Sequence, residues 1–205
     1  MNLNRSDPGH IFALRQLDRF MIGHNGFIAG GCFKNIFCGE PPKDIDVFFE
    51  TKEAFEDAVN RMSEDRDYET AYESKKVRAF WHKPSGQVVE FVCALFGTPE
   101  DLLGNFDFTI SKFAYYKQLS ENEEGLETCE YKAVYHPLFF EHLHLRRLVI
   151  DDAIPFPLST FGRMLKYQRS GFTPCTETKQ KLINAIRGLP ESDILVPTNF
   201  YAGID

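Results

Sequence analysis

Hydrophobic and polar positions along the first 136 residues alternate between the period of a helix and the period of a strand. Apolar residues three and four positions apart predict a first helix over Pro8 to Met21, with Asp7 as its N-cap. Alternating or continuous apolar runs between turn-forming residues predict strands. The predicted strands are 26–31, 44–49, 77–81, 87–95, 108–116 and 129–135. The further predicted helices are 32–37, 52–62 with Thr51 as its cap, and a short one that Thr98 opens as N-cap.

After residue 136 the apolar spacing becomes helical. Three helices are predicted there, over 138–149, 158–170 and 176–186. The pattern therefore predicts an α+β protein, with a mixed αβ domain over residues 1–136 and a helical C-terminal segment over residues 137–205.

Composition narrows the class of protein. The 205 residues are 43% hydrophobic, which is ordinary for a globular protein. Their formal charge of −7 disfavours coating of duplex nucleic acid. No apolar run has the length of a membrane span, and the N-terminus lacks the order of a signal peptide, so we expect a cytoplasmic protein without membrane contact. The five cysteines form no C-x-x-C pair, which argues against zinc.

The candidate chemistry lies between Gly30-Gly31 and Asp44-Ile45-Asp46. Side chains two apart on a strand share a face, so Asp44 and Asp46 should point together. Adjacent carboxylates repel unless a cation joins them, and hard oxygen ligands suit Mg²⁺. A glycine pair before a helix lets backbone N–H groups approach an anion. Each motif alone is common, but in this order they predict a phosphoryl or nucleotidyl transfer site.

A family resemblance makes this prediction more specific. Residues 30–47, GGCFKNIFCGEPPKDIDV, resemble the head motif G-G-x-V-R-D-x-L-x-G-x-x-P-x-D-x-D of the poly(A) polymerase and class II tRNA nucleotidyltransferase (CCA-adding) family. Residues 89–92 are similar to a family strand that carries a glutamate. Residues 105–115 are similar to the family's R-R-D-F-T-I-N segment, and residues 158–172 to its neck helix.

The resemblance implies a polymerase-beta-like nucleotidyltransferase head domain followed by a short helical neck. It implies that Asp44 and Asp46 bind Mg²⁺ or Mn²⁺ and that Glu90 and Asp107 have further acidic roles. Glu90 could equally be a solvent-facing strand residue, and Asp107 an ordinary turn residue. The implied nucleotide-binding residues are Gly30, Gly31, Lys34 and Arg163.

Departures from the family motifs leave two hypotheses. Lys34 and Asn35 stand where the family has arginine and aspartate, Asn105-Phe106 replace paired arginines, and Thr160 replaces an arginine of the neck. The first hypothesis is a Mg²⁺-dependent enzyme that transfers NMP from an NTP to a hydroxyl of RNA, tRNA or a protein and releases pyrophosphate. The second is a degenerate nucleotidyltransferase fold that acts as a binding or inhibitory partner.

Overall fold

An eight-stranded mixed sheet forms the centre of the computed structural model, which describes residues 2–6, 12–121, 127–151 and 154–191. Helices pack on it, so the predicted α+β class is confirmed. The strands are β1 (Asn4–Ser6), β2 (Phe27–Ala29), β3 (Asp44–Phe49), β4 (Tyr68–Glu73), β5 (Val77–His82), β6 (Gln87–Phe96), β7 (Phe113–Glu121), β8 (Glu127–Tyr135), β9 (Arg147–Leu148) and β10 (Thr173–Pro174).

The helical elements alternate with the strands in the first half of the chain and dominate its end. The α-helices are α1 (Cys32–Phe37), α2 (Lys52–Glu64), α3 (Pro99–Asn105), α4 (Phe139–His144), α5 (Pro157–Arg169) and α6 (Thr176–Arg187), and 3₁₀ helices cover Phe12–Met21 and Thr109–Ser111. None of the helices in the described part of the chain has the length and apolar character that a membrane span requires.

The order of strands in the large sheet is β1-β8-β7-β2-β3-β6-β5-β4. Among the described strands of this sheet, β3 and β6 are the parallel pair and the others run antiparallel to their neighbours. A parallel pair needs a crossover, which α2 and the β4–β5 hairpin supply here. This crossover sets Asp46 opposite Glu90.

The two faces of the sheet bury two apolar clusters. Ile45, Val47 and Phe49 of β3 point into the larger cluster, which also receives side chains from α1, α2, α4 and α5. Phe48 points the other way, into a smaller cluster under α3 that includes Leu102. Strand alternation puts Asp44 and Asp46 on the same face of the sheet as Phe48, outside the smaller apolar cluster.

Helix caps agree with the sequence prediction where they can be compared. The Thr51 hydroxyl accepts from the Ala54 N–H at the start of α2, and Thr98 accepts from the Asp101 N–H at the start of α3. Part of the first predicted helix, residues 8–11, and its cap Asp7 lie outside the described residues, as do residues 122–126.

Two predicted elements differ most from the observed bounds. The helix predicted over 138–149 ends at His144, because Arg146 adopts a left-handed conformation with φ 52° and the chain continues into β9. The strand predicted over 108–116 begins only at Phe113, because the backbone turns through a 3₁₀ helix at Thr109–Ser111. The edge strand β4 was missed, since most of its side chains are exposed and show no apolar alternation.

A buried ionic cluster fastens the chain after β8 to the sheet. The Asp151 carboxylate accepts from Lys112 Nζ at 2.6 Å and from His136 Nε2 at 2.9 Å. Lys181 of α6 donates to the carbonyl oxygens of Ile150 and Asp151. These contacts join residues on both sides of the predicted boundary between the αβ domain and the C-terminal segment, at 136 and 137. That domain boundary stays a prediction.

We expect His24 to make folding sensitive to acid. Burial, then the nearby Lys117, lowers the pKa of His24 to about 4, and its Nδ1 accepts from the Gly26 N–H. An unfolded histidine titrates near pH 6.5, so its stabilising contribution is complete above that pH and is lost as the pH falls toward 4. The loss is on the order of 2–3 kcal/mol in the free energy of unfolding.

Urea unfolding at pH 7.0, 5.5 and 4.5 measures this effect. Asparagine can keep an acceptor for the Gly26 N–H, so His24→Asn should flatten the stability profile over this range. The exposed His144 supplies the matched control, His144→Asn. An unchanged slope in His24→Asn would contradict the assignment.

Candidate functional site

Three carboxylates lie together on the sheet face that β3 and β6 share. Asp44 and Asp46 are two apart on β3, and Glu90 stands directly opposite Asp46 in the parallel register. Asp44 is exposed, whereas Asp46 is 7% exposed. The structure therefore brings together three of the four predicted acidic site residues.

The hydroxyl of Tyr72, from edge strand β4, donates a hydrogen bond to Glu90 Oε1. Burial, then this hydrogen bond and the charges of Glu90, Asp44 and Asp46, raises the pKa of Tyr72 well above its usual range. Sequence analysis did not single out Tyr72, because β4 was not predicted. The phenol therefore stays protonated beside the carboxylates.

The thiol of Cys32 is buried close to Asp46 and Asp44. Burial, followed by the negative charges of Asp46 and Asp44, holds the pKa of Cys32 well above its usual range. A neutral, buried thiol is a poor nucleophile. The reactive groups of this site are therefore oxygen ligands and cations, and Cys32 contributes packing.

Gly30 and Gly31 form the corner between β2 and α1. Gly30 has φ 96° and its N–H donates to the Phe113 carbonyl, so this position requires glycine. Gly31 has ordinary helical angles, and a Cβ there would lie 3.6 Å from the Tyr167 hydroxyl, an ordinary contact. Because α1 has only six residues, its dipole is small and would contribute little to holding an anion.

A cleft of about 300 Å³ opens beside the aspartates, between the Gly30-Gly31 corner and the end of α5. Its lining combines cations and carboxylates, an arrangement that suits a polyphosphate together with a divalent ion. The charged residues that line it are Lys34, Lys43, Lys166, Arg169, Glu40, Asp44 and Asp46.

Lys34 holds the most buried cation of this cleft. Its Nζ lies 5.7 Å from the ring centres of both Tyr167 and Phe172 and donates to Asn35 Oδ1 at 2.5 Å. Burial lowers the pKa of Lys34, an effect partly offset by Glu40. Because Asn35 is neutral, this hydrogen bond positions the ammonium without cancelling its charge.

Asp107 and Arg163, both predicted site residues, bind each other. Arg163 Nη2 and Nε lie 2.6 Å and 2.8 Å from Asp107 Oδ2, and both side chains are more than 90% buried. The other carboxylate oxygen of Asp107 accepts from the Phe108 N–H. The pair joins α5 to the segment before β7. Lys166, Tyr167, Arg169 and Ser170, further along α5, line the cleft.

Of five further basic residues near the site elements in sequence, Lys43 lines the cleft and the other four do not. Arg78 pairs with Glu73, Lys112 pairs with Asp151, and Arg146 lies over the Phe172 ring at 5.0 Å. Arg147 is an exposed residue of β9.

Sequence reasoning did not assign a site role to Lys166 or Arg169. They follow Arg163 at three-residue steps on α5. Residues three apart are neighbours on a helix surface, so this spacing was the sequence signal that the three basic side chains share a helix face.

The donor set fits a magnesium ion that is shared with substrate. Within the described part of the chain, no three His, Cys, Asp or Glu side chains form a preformed metal cage. In phosphoryl transfer sites, Mg²⁺ takes one or two carboxylates and completes its shell with phosphates and water. Asp44 and Asp46 supply such a pair beside a cationic cleft.

Solved structures with a similar fold are CCA-adding enzymes. One complexed with ATP has a TM-score of 0.63 at 18% identity, covering 96% of this chain and 47% of that chain. One complexed with CTP has a TM-score of 0.61 at 16% identity, with 95% and 47% covered. The Thermotoga maritima enzyme complexed with tRNA has a TM-score of 0.55 at 19% identity, with 89% and 43% covered.

These likenesses confirm the predicted nucleotidyltransferase fold. This chain spans less than half the length of each of those three proteins.

A family model described as "Gad2: Gabija anti-defense 2 family protein" matches residues 10–146, about two thirds of the chain. The sequence resemblance to CCA-adding enzymes thus reflects a common fold, while the matching family is a different one. No curated protein matches the sequence.

We expect Arg163 to act mainly as a structural clamp. Arg163→Met leaves Asp107 buried without its main cation, which should cost about 3 kcal/mol in the free energy of unfolding. The double variant Asp107→Asn/Arg163→Met keeps an acceptor for the Phe108 N–H and should recover most of that loss. Urea unfolding measures both. Unchanged stability with weakened NTP binding in Arg163→Met would instead assign Arg163 to the nucleotide.

Proposed function

We propose that this chain, which belongs to the Gabija anti-defense 2 family, acts as a metal-dependent nucleotidyltransferase. It transfers a nucleoside monophosphate from an NTP to a hydroxyl of RNA or protein, in the anti-defense role that the family description names. The observation that carries the proposal is the Asp44, Asp46 and Glu90 cluster beside a cationic cleft.

The three carboxylates have two tasks in this reaction. An acceptor hydroxyl attacks the α-phosphorus of the NTP, an O–P bond forms, the bond from the α-phosphorus to the bridging oxygen breaks, and pyrophosphate leaves. Glu90 takes the acceptor's proton. Asp44 and Asp46 hold Mg²⁺ or Mn²⁺, which when bound neutralises phosphate charge and favours ionisation of the attacking hydroxyl.

The cations of the cleft bind the leaving group. Lys34, positioned by Asn35 and lying 5.7 Å from two aromatic ring centres, reaches the β- and γ-phosphates. Lys166 and Arg169 supply further positive charge from α5. Together these side chains take over the role that the family's paired arginines would have, since Asn105 and Phe106 stand in their place.

The proposal names an NTP as the donor and RNA or protein as the acceptor. The fold neighbours include complexes with ATP, CTP and tRNA, which supports an NTP donor and makes RNA a candidate acceptor. The net charge of −7 limits how much RNA the chain can grip through phosphates. We therefore propose a protein hydroxyl as the alternative to an RNA acceptor.

Replacing the two aspartates tests the proposal. Asp44→Asn/Asp46→Asn should abolish Mg²⁺-dependent NTP binding and lower transfer of labelled NMP to cellular RNA or protein by about a thousandfold or more. Asp65→Asn/Asp67→Asn is the matched control, because it removes the same charges at the same spacing from an exposed turn. Equal transfer by both variants would contradict the proposal.

A second function, an inert binding or inhibitory partner, is favoured by the Arg163–Asp107 pair. An arginine held by a buried carboxylate is withdrawn from nucleotide recognition. The family description names an anti-defense role without naming an activity. If no NTP binds with or without Mg²⁺ and the double aspartate variant keeps its anti-defense effect, this second function replaces the first.

Lys34 should matter more to NTP binding than an exposed lysine does. Lys34→Met keeps an aliphatic side chain of similar length and removes the charge, so NTP affinity should fall about tenfold, with a smaller change for a nucleoside monophosphate. Calorimetric titration with Mg²⁺ present compares the two ligands. Lys83→Met, at an exposed hairpin position, is the control. Equal losses for triphosphate and monophosphate would place Lys34 away from the β- and γ-phosphates.

A further inference from the structure

Four residues form a row across four neighbouring strands on the site face of the sheet. Tyr72 of β4 pairs with Ala79 of β5, Ala79 pairs with Glu90 of β6, and Glu90 pairs with Asp46 of β3. Directly paired residues project from the same face of a sheet. Tyr72 therefore faces the carboxylates, although it lies on the outermost strand.

Two local features bring the phenol to Glu90. A register shift between Thr70 and Tyr72 inserts one extra residue in β4, and this places Tyr72, rather than Ala71, opposite Ala79. Ala79 has a small side chain, so the tyrosine ring can cross above it. The Tyr72 hydroxyl then donates to Glu90 Oε1.

The position of this hydroxyl matches what the proposed reaction requires of an acceptor. It donates to the carboxylate to which we assign the acceptor's proton, and Glu90 is next to Asp46 in the register. Tyr72 is 48% exposed and β4 is an edge strand, so the ring is accessible from solvent. Asp46, the register neighbour of Glu90, also lines the cleft.

We propose that Tyr72 is an acceptor within the chain itself, so that the protein nucleotidylates its own Tyr72. The inference rests on the proposed nucleotidyltransferase function. Tyr72 Oη attacks the α-phosphorus of the NTP and forms an O–P bond, while the bond to the bridging oxygen breaks and pyrophosphate leaves. The phenolic proton passes to Glu90. The product is a tyrosyl nucleoside monophosphate at the mouth of the site.

This product would also regulate the site. A nucleotide attached to Tyr72 occupies the place where an external acceptor hydroxyl must meet Glu90. Transfer to RNA or protein should therefore fall as Tyr72 becomes modified.

Peptide mass spectrometry of the full chain tests the inference. The protein is incubated with each of the four NTPs and Mg²⁺ or Mn²⁺, and nucleoside monophosphate adducts are mapped. We expect an adduct on Tyr72 that is lost in Tyr72→Phe and in Asp46→Asn. Tyr116→Phe is the matched control, because Tyr116 is a half-buried tyrosine of the same sheet whose charged neighbours are Glu100, Arg5 and Lys132.

Binding and transfer measurements on the same samples separate the two proposals. Urea unfolding of Tyr72→Phe and of the unaltered chain distinguishes loss of the acceptor from loss of the fold. If the unaltered chain labels an added acceptor but never Tyr72, the self-modification proposal is overturned and the nucleotidyltransferase stands. If neither labelling nor metal-dependent NTP binding occurs, both proposals are overturned.

Discussion

The parallel pairing of β3 with β6 is the constraint from which the site follows. It requires a crossover, and α2 with the β4–β5 hairpin provides one whose strands extend the sheet beyond β6. The register of this pair sets Glu90 beside Asp46, while the strand pleat adds Asp44 on the same face. Three carboxylates so placed repel one another, and the cations of the cleft reduce that cost.

Local sequence patterns predicted the parts of the molecule in which local forces decide the structure. The Thr51 and Thr98 caps, the helix over Cys32–Phe37 and the Asp44–Asp46 face follow from neighbouring residues and were predicted. Features set by distant contacts were missed. β4 is held as an edge strand by β5, and the helix before β9 is ended by the left-handed Arg146.

The candidate site shows the same division. Strand alternation was enough to join Asp44 to Asp46, but the pairing that brings Glu90 to them depends on a crossover of about forty residues. The resemblance to CCA-adding enzymes assigned Asp107 and Arg163 separate roles, whereas the structure pairs them in the interior. Tyr72 needed both the bulge in β4 and the small Ala79, and a single sequence displays neither as a site.

The substitutions in the cleft are physically connected. Asn35, a neutral residue at an acidic position of the similar motif, holds Lys34 without neutralising it, and the ring centres of Tyr167 and Phe172 each lie 5.7 Å from its ammonium. Where the similar motif has paired arginines this chain has Asn105 and Phe106, and Lys166 and Arg169 of α5 bring positive charge to the cleft. Under the proposed function these cations bind the triphosphate from different positions along the chain.

The central claim is that Asp44 and Asp46 hold a divalent ion against an NTP. A crystal structure of the chain with Mn²⁺ and a non-hydrolysable NTP analogue tests it most directly, because the anomalous signal of manganese locates the ion. The account predicts manganese bound by both aspartates and phosphates contacting Lys34. A triphosphate bound elsewhere, or manganese absent from these carboxylates at saturating concentration, would contradict it.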